Sequence, residues 1–183
     1  VHGGEQPLDQ VDDGIWVAEV FADPGDDYLL VLDGDALPDP WSRSQPEGVK
    51  GPSRVLDTSA FSIAPGPELS LEELVLYELH VGTFTPEGTF AGATAKLPLL
   101  CDLGITVVEL MPVEDFPGRW NWGYDGVQLW APYSRYGGPE ALRRLVDAAH
   151  RHGLGVIMDV VYNHLGPDGN YLRCYAKEYF TAK

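Results

Sequence analysis

The chain has 183 residues, of which 44% are hydrophobic and 22% charged, proportions typical of a globular protein and not of a disordered one. Its formal net charge of −16 repels phosphate backbones and anionic lipid headgroups, so nucleic acid and membrane surfaces are disfavoured as partners. The two cysteines, Cys101 and Cys174, show no metal-ligand spacing and suggest no disulfide scaffold, so we expect a reducing, cytoplasmic location.

Residues 1–57 predict short strands and turns. Residues 14–21 and 28–32 are rich in β-branched, aromatic and aliphatic side chains, and the Asp-Pro-Gly-Asp-Asp run between them predicts a turn. We therefore expect a hairpin with a longer loop. This region is too short to close a core alone, so we interpret it as the end of a small β-sandwich domain.

Residues 58–73 are predicted to form a linker. Pro65, Gly66 and Pro67 interrupt it, and Ser70 followed by Glu72 and Glu73 predicts one helical turn.

Residues 74–183 change to an alternation of strand and helix. Apolar strands are predicted at 74–79, 105–110 and 155–161, and helices at 89–103 and 139–152, with Pro139 at a helix start and Gly104 and Gly153 at helix ends. The pattern predicts an α/β fold with a parallel sheet. No glycine fingerprint of the Rossmann fold follows the first strand, which favours a (β/α)8 TIM barrel.

A complete barrel of this kind takes about 250 residues, and only 110 follow Glu73. We therefore expect the first three strand–helix units of a TIM barrel, in a chain that is cut at both ends.

The loop after the second strand concentrates aromatic side chains in residues 120–126, which read Trp-Asn-Trp-Gly-Tyr-Asp-Gly. The rings of Trp122 and Tyr124 could stack on the apolar face of a pyranose, while Asp125 and Asn121 bind hydroxyls. The alternative is that this loop is a hydrophobic cluster that packs on the next helix.

The third strand leads into residues 159–164, which read Asp-Val-Val-Tyr-Asn-His. If the strand extends that far, Asp159 and Asn163 share one face and His164 lies on the other. These side chains could hold a polar ligand, or they could be a structural carboxylate and a histidine that caps a loop. The segment offers no set of three ligands for zinc.

Taken together, these motifs resemble the α-amylase family of glycoside hydrolases. Residues 159–164 resemble its first signature region, residues 123–125 resemble the loop motif after its second strand, and residues 77–85 resemble the first strand of its branching, debranching and trehalose-releasing subgroup. Residues 122–126 and 163–172 are most similar to the trehalose-releasing members. Glycogen branching and isoamylase-type debranching enzymes remain the nearest alternatives, and a non-catalytic carbohydrate-binding module is a third.

The resemblance implies an α-glucan oligosaccharide as substrate and no cofactor. It implies that Tyr124 stacks on the sugar whose bond is cleaved, that His164 hydrogen-bonds the same sugar, and that Asp159 and Asp125 hold the polar network. Asn163 is a calcium ligand in some members, but the trehalose-releasing subgroup lacks that site, so we expect no metal.

The resemblance also implies retaining hydrolysis by an aspartate nucleophile and a glutamate acid/base. Family members carry these groups after strands four and five, and a third carboxylate after strand seven. We therefore expect no catalytic residue within this chain.

Overall fold

The structure, a computed structural model, describes residues 4–180. Residues 4–57 contain six short strands: β1 (Asp9–Asp12), β2 (Ile15–Val17), β3 (Asp27–Tyr28), β4 (Leu30–Leu32), β5 (Asp35–Leu37) and β6 (Ser53–Arg54). They form three antiparallel pairs, β1–β2, β3–β6 and β4–β5.

The predicted hairpin between residues 14–21 and 28–32 is wrong. Strand β2 pairs instead with β1, across a turn in which Gly14 has φ +70°, and β4 pairs with β5 across Asp33 and Gly34, which have φ values of +54° and +93°. Each of these tight turns contains an Asp-Gly pair whose glycine has a positive φ, which favours a short hairpin. The strands therefore pair with their nearest neighbours and not across the predicted longer loop.

The remaining residues contain the parallel strands and the helices: β7 (Leu76–Leu79), α1 (Val81–Phe84), α2 (Phe90–Thr94), α3 (Leu97–Asp102), β8 (Val107–Leu110), β9 (Glu114–Asp115), β10 (Gln128–Pro132), α4 (Gly138–Arg151), β11 (Gly155–Met158) and α5 (Leu172–Tyr175). Short 3-10 helices lie at Leu71–Glu73, Ser134–Tyr136 and Lys177–Tyr179.

Strands β7, β8 and β11 form one sheet in the order β11-β8-β7, and both pairs are parallel. Their last residues, Leu79, Leu110 and Met158, lie in register across the sheet. The predicted parallel sheet is confirmed, and its three carboxyl ends meet at one edge.

The predicted helix at 89–103 is wrong in its continuity, because it is divided into α2 and α3. Thr89 caps α2 by accepting a hydrogen bond from the Gly92 N–H at 3.1 Å. Pro98 lies in the first turn of α3, where its missing N–H and its ring are tolerated, whereas inside a continuous helix they would not be. The helix after Pro139 is confirmed as α4, with Gly153 beyond its end at φ +76°.

Residues 58–73 contain the predicted helical turn and are bound to α4. The Glu73 carboxylate accepts hydrogen bonds from the Ser70 N–H at 2.9 Å and from its hydroxyl at 2.7 Å. Asp147 accepts from the Ala64 N–H at 2.8 Å, and His150 Nδ1 lies 2.7 Å from the Ala64 carbonyl oxygen. Two side chains one helical turn apart on α4 therefore hold Ala64.

The core lies between the sheet and helices α2 to α4. It includes an aromatic cluster in which Phe116 stacks on Tyr133 at 4.0 Å between ring centroids, and Tyr136 meets Phe90 edge-on at 5.7 Å. Between residues 4 and 180, none of the helices combines the length and hydrophobicity needed to cross a bilayer.

Candidate functional site

The loops after β8 and β11 begin side by side, because these two strands are paired through Leu110 and Met158. The Asp159 N–H donates to the Leu110 carbonyl at 2.9 Å, which places Asp159 at the carboxyl edge of the sheet. Strand β11 ends at Met158, so the predicted extension of the strand to residue 161 is wrong. Residues 159–164 therefore form a loop, and their side chains do not alternate between two faces.

The structure brings Tyr124, Asp159 and His164 together. The Tyr124 hydroxyl donates to Asp159 Oδ2 at 3.0 Å, and His164 Nε2 lies 2.8 Å from the Tyr124 carbonyl oxygen. The hydrogen bond to Asp159 raises the pKa of the Tyr124 hydroxyl, because phenolate would lose this bond and face a carboxylate. Tyr124 is thus held at its side chain and at its backbone by the loop after β11.

Both ring nitrogens of His164 have partners in the protein. Since a carbonyl oxygen can only accept, Nε2 carries a proton and donates to Tyr124. The other nitrogen, Nδ1, lies 3.0 Å from the Asn163 side-chain oxygen position. A sugar hydroxyl that binds His164 must therefore replace one of these contacts.

Residues 120–126, hereafter the aromatic loop, are shaped from within by Asn121. Its Oδ1 accepts from the Gly123 N–H at 2.6 Å, and its Nδ2 donates to Asp125 Oδ2 at 3.1 Å. Gly123 has φ +101°, and a Cβ at this position would lie 2.3 Å from the Pro112 carbonyl oxygen. Only glycine fits this close approach of the loop to the end of β8.

The aromatic loop presents Trp122 and Tyr124 to solvent. The side chain of Trp122 is 75% exposed and that of Tyr124 is 38% exposed. Trp120 is also exposed, and the guanidinium of Arg119 lies 4.9 Å from its ring centroid. The predicted alternative of a hydrophobic cluster packed on the next helix is wrong for Trp122, because most of its surface is free to contact a ligand.

The aromatic loop and the loop after β11 are joined at a second point. The Gly166 N–H donates to the Gly126 carbonyl at 3.0 Å, and a Cβ on Gly166 would lie 2.2 Å from the Asp125 carbonyl oxygen. Lys50 forms an ion pair at 2.7 Å with Asp168, which lies in the loop after β11. The Tyr175 hydroxyl donates to the Pro38 carbonyl at 2.9 Å, so the segment before residue 58 also supports this edge.

Three buried polar side chains beneath the site were missed by the sequence reasoning. The hairpin of β9 and β10 lies between the second predicted strand and the helix after Pro139, where no strand is predicted, and it buries Glu114, Asp115 and Gln128. Burial raises the pKa of Glu114 and raises the pKa of Asp115 to about 7. The available signal was a pair of consecutive acids shortly after a buried strand, separated from it by Met111, Pro112 and Val113.

Two further carboxylates face the site from the sheet. Glu78 and Glu109 are register partners on β7 and β8, and their negative charges contribute to the raised pKa of Tyr124. Between residues 4 and 180, no group of three or more His, Cys, Asp or Glu side chains could hold a metal ion. Asp159, Glu78 and Glu109 thus place negative charge near the Tyr124 hydroxyl.

The catalytic domain of the α-amylase family matches residues 36–180, and the chain belongs to this family of glycoside hydrolases. Malto-oligosyltrehalose trehalohydrolase from Deinococcus radiodurans is 51% identical over 183 residues, which cover 99% of this chain and 30% of that protein.

Solved structures agree with the family assignment. A putative α-amylase from Salmonella typhimurium superposes with a TM-score of 0.90 at 47% identity, covering 97% of this chain and 31% of that one. A pullulanase from Anoxybacillus complexed with maltotetraose has a TM-score of 0.69 at 28% identity, covering 86% and 29%. The chain therefore spans about a third of the length of these proteins.

Proposed function

We propose that the full-length protein containing this chain hydrolyses the α-1,4-glucosidic bond next to the terminal trehalose of maltooligosyltrehalose and releases trehalose. The identity of 51% over the whole chain to a trehalohydrolase supports this specificity over branching and debranching activities. One observation supports the sugar-binding role: the aromatic loop and the loop after β11 are joined at the carboxyl edge of the sheet. There Trp122 is exposed, and Tyr124 is hydrogen-bonded through both its hydroxyl and its carbonyl oxygen.

The proposal assigns the chain to the first part of the catalytic domain. Residues 1–57 are the end of a β-sandwich domain, residues 58–73 the linker, and residues 74–183 the first three strand–helix units of a (β/α)8 barrel. Three parallel strands in consecutive order support this division, as do the exposed apolar side chains of Leu76, Ile157 and Met158 on the sheet, which further strands would cover.

Tyr124 and Trp122 supply the apolar contact to the sugar. The C–H groups of a pyranose form an apolar face that stacks on an aromatic ring, and water leaves both surfaces on binding. The hydrogen bonds of Tyr124 to Asp159 and His164 fix its ring before the substrate arrives, so little conformational entropy is lost on binding.

The polar groups of the site bind hydroxyls and stabilise positive charge. Asp125 keeps one carboxylate oxygen that has no hydrogen bond to protein among residues 4–180, and Asn163 and His164 lie on the neighbouring loop. Retaining hydrolysis passes through an oxocarbenium-like transition state. The negative charges of Asp159, Glu78 and Glu109 near Tyr124 favour such a cation electrostatically.

The catalytic carboxylates belong, on this proposal, to the remainder of the barrel. Retaining enzymes hold the nucleophile and the acid/base about 5 to 5.5 Å apart on either side of the scissile bond. None of the carboxylates in this chain is assigned to either role, and the part described here binds and orients the sugar.

The experiment is to express the complete reading frame and incubate the protein with maltooligosyltrehalose, with product analysis by anion-exchange chromatography. We expect free trehalose and a maltooligosaccharide shortened by two glucose units. Release of reducing maltooligosaccharides from starch without trehalose, or new α-1,6 branches, would assign the protein to the alternatives. Binding of maltooligosaccharides with no turnover of any α-glucan would identify a non-catalytic module.

A further inference from the structure

His80 occupies a place at the carboxyl end of β7 that the sugar-binding residues do not explain. It directly follows Leu79, precedes α1, and is partly buried. Its Nε2 lies 2.7 Å from the carbonyl oxygen of Asn121 in the aromatic loop, and its Nδ1 lies 3.0 Å from the Thr83 hydroxyl. The ring therefore connects the first parallel strand to the loop after the second.

The surroundings of His80 fix the position of its ring. Tyr136 meets it edge-on at 6.2 Å between ring centroids, with its hydroxyl 3.3 Å from Nε2. A Cβ on Gly82 would lie 2.9 Å from the Tyr136 hydroxyl and 3.0 Å from Cε1 of His80, so the backbone at Gly82 closes the remaining side. The ring cannot turn without moving one of these neighbours.

The partners also determine which nitrogen carries a proton. The Asn121 carbonyl oxygen can only accept, so Nε2 must be protonated and donate to it. In the neutral ring Nδ1 then accepts from the Thr83 hydroxyl, which can rotate to donate. The Asn121 carbonyl thus selects the tautomer with the proton on Nε2, and the Thr83 hydroxyl supports it by donating to Nδ1.

The hydrogen bond at Asn121 matters because residues 119–122 make few other hydrogen bonds to the body of the fold. The Tyr133 hydroxyl donates to the Gly118 carbonyl at 2.7 Å, and Tyr124 is held by the loop after β11. Among the hydrogen bonds of residues 4–180, the one from His80 is the link between residues 119–122 and the body of the fold. Both ends of the Asn121 side chain are used inside the loop.

We propose that His80 is a positioning residue for the α-glucan site, and that its Nε2–H holds residues 119–122, and through them the ring of Trp122, in place at the carboxyl edge of the sheet. This inference rests on the proposed glucan-binding function of the aromatic loop. It assigns to the first strand of the sheet a role in substrate affinity without contact to the sugar.

The test uses two matched substitutions in the full-length protein. The Nε2 of glutamine reaches about as far as imidazole Nε2 and can donate to Asn121, whereas the amide of asparagine reaches only as far as Nδ1. His80→Gln should therefore preserve the link and His80→Asn should break it. Loss of one neutral hydrogen bond, about 1 kcal/mol, corresponds to a roughly three- to tenfold change in the equilibrium between the attached and detached loop.

The first readout does not depend on activity. Trypsin cleaves after Arg119, which is exposed at the start of the weakly attached segment. We expect the rate of this cleavage, followed by mass spectrometry, to rise about three- to tenfold in His80→Asn and to stay within about twofold of wild type in His80→Gln. Equal rates in the two variants would overturn the proposal, even if the protein hydrolysed no glucan.

The second readout separates positioning from loss of folded enzyme. With any α-glucan that the protein cleaves, His80→Asn should raise KM about three- to tenfold and leave kcat within about twofold. A fall of kcat at unchanged KM in both variants would indicate fewer folded molecules and overturn the proposal.

Thr83→Val and Tyr136→Phe keep His80 and replace His80→Asn in the trypsin test if that variant does not fold. Loss of the Thr83 hydroxyl should increase cleavage after Arg119 by about twofold, because Nδ1 of His80 loses the donor that holds the ring toward Asn121, while loss of the Tyr136 hydroxyl should not. The reverse order would overturn the proposal.

Discussion

Asp115 provides a stability test that follows from burial alone. Its side chain is completely buried; Oδ1 accepts from the Phe116 N–H at 3.0 Å, and Oδ2 has no hydrogen-bond partner among residues 4–180. Burial raises the pKa of Asp115 from 3.8 to about 7. An ionised carboxylate at this position is therefore costly, because the desolvated charge is poorly compensated.

The direction of the pH dependence follows from the raised pKa. Below pH 4 Asp115 is protonated in the folded and unfolded chains, and its ionisation does not affect stability. Between pH 4 and pH 7 the unfolded chain releases the proton while the folded chain retains it, so stability falls by about 1.4 kcal/mol per pH unit. A pKa difference of about 3 units gives a total loss of about 4 kcal/mol above pH 7.

Asp115→Asn removes this penalty without changing the shape of the side chain. The amide oxygen can still accept from Phe116, and the amide nitrogen adds a donor beside Gln128, whose Oε1 also lacks a partner. We expect the variant to be more stable than wild type, with a gain that grows by about 3 kcal/mol between pH 5 and pH 8.

The assay is thermal unfolding of the full-length protein and the variant across this pH range, with Asp102→Asn as the control because Asp102 is exposed on α3. A gain that is constant with pH, or a variant that is less stable than wild type at pH 8, would refute the reasoning from desolvation.

Three further substitutions test the site. Tyr124→Phe removes the hydroxyl that donates to Asp159 and keeps the ring, so KM should rise about three- to tenfold with the fold unchanged, as judged by circular dichroism. Trp122→Ala should weaken glucan binding measured by calorimetry and shift the unfolding temperature by less than about 2 °C, since the side chain is 75% exposed; a large loss of stability would show that the ring packs. Gly166→Ala should destabilise by about 1–3 kcal/mol because its Cβ would lie 2.2 Å from the Asp125 carbonyl oxygen, whereas Gly104→Ala, at φ +81° in open space, should cost about 1 kcal/mol.

The parallel sheet and α4 could be predicted because their signals are local and strong. β-Branched runs define β8 and β11, and Pro139 and Gly153 mark the ends of α4. The division of the helix after Thr89 was also present in the sequence as Pro98, but the apolar spacing on both sides of it masked the break.

The pairing of the first strands depended on information that hydrophobic patterning does not contain. Residues 14–21 and 28–32 resemble paired strands in their composition. The turns at Gly14 and Gly34 instead pair β2 with β1 and β4 with β5. The β9–β10 hairpin was missed because its buried residues include Glu114, Asp115 and Gln128, and acids and amides seldom occupy such positions.

For the candidate site, the sequence predicted proximity but not detail. The rule that active sites lie at the carboxyl ends of barrel strands places Tyr124 near Asp159 and His164, and the structure places them in contact. The attachment of the aromatic loop to His80 could not be predicted, because the two residues it joins are 41 positions apart and neither carries a motif for the contact.

The most direct test of the account is a crystal structure of the full-length protein with a bound maltooligosaccharide or with trehalose. The account predicts a glucose ring packed against Tyr124 at van der Waals distance, about 4 Å, with hydroxyls near Asp125 and the loop that carries Asp159 and His164. A sugar bound in the catalytic centre with no contact to Tyr124, Trp122 or His164 would contradict it.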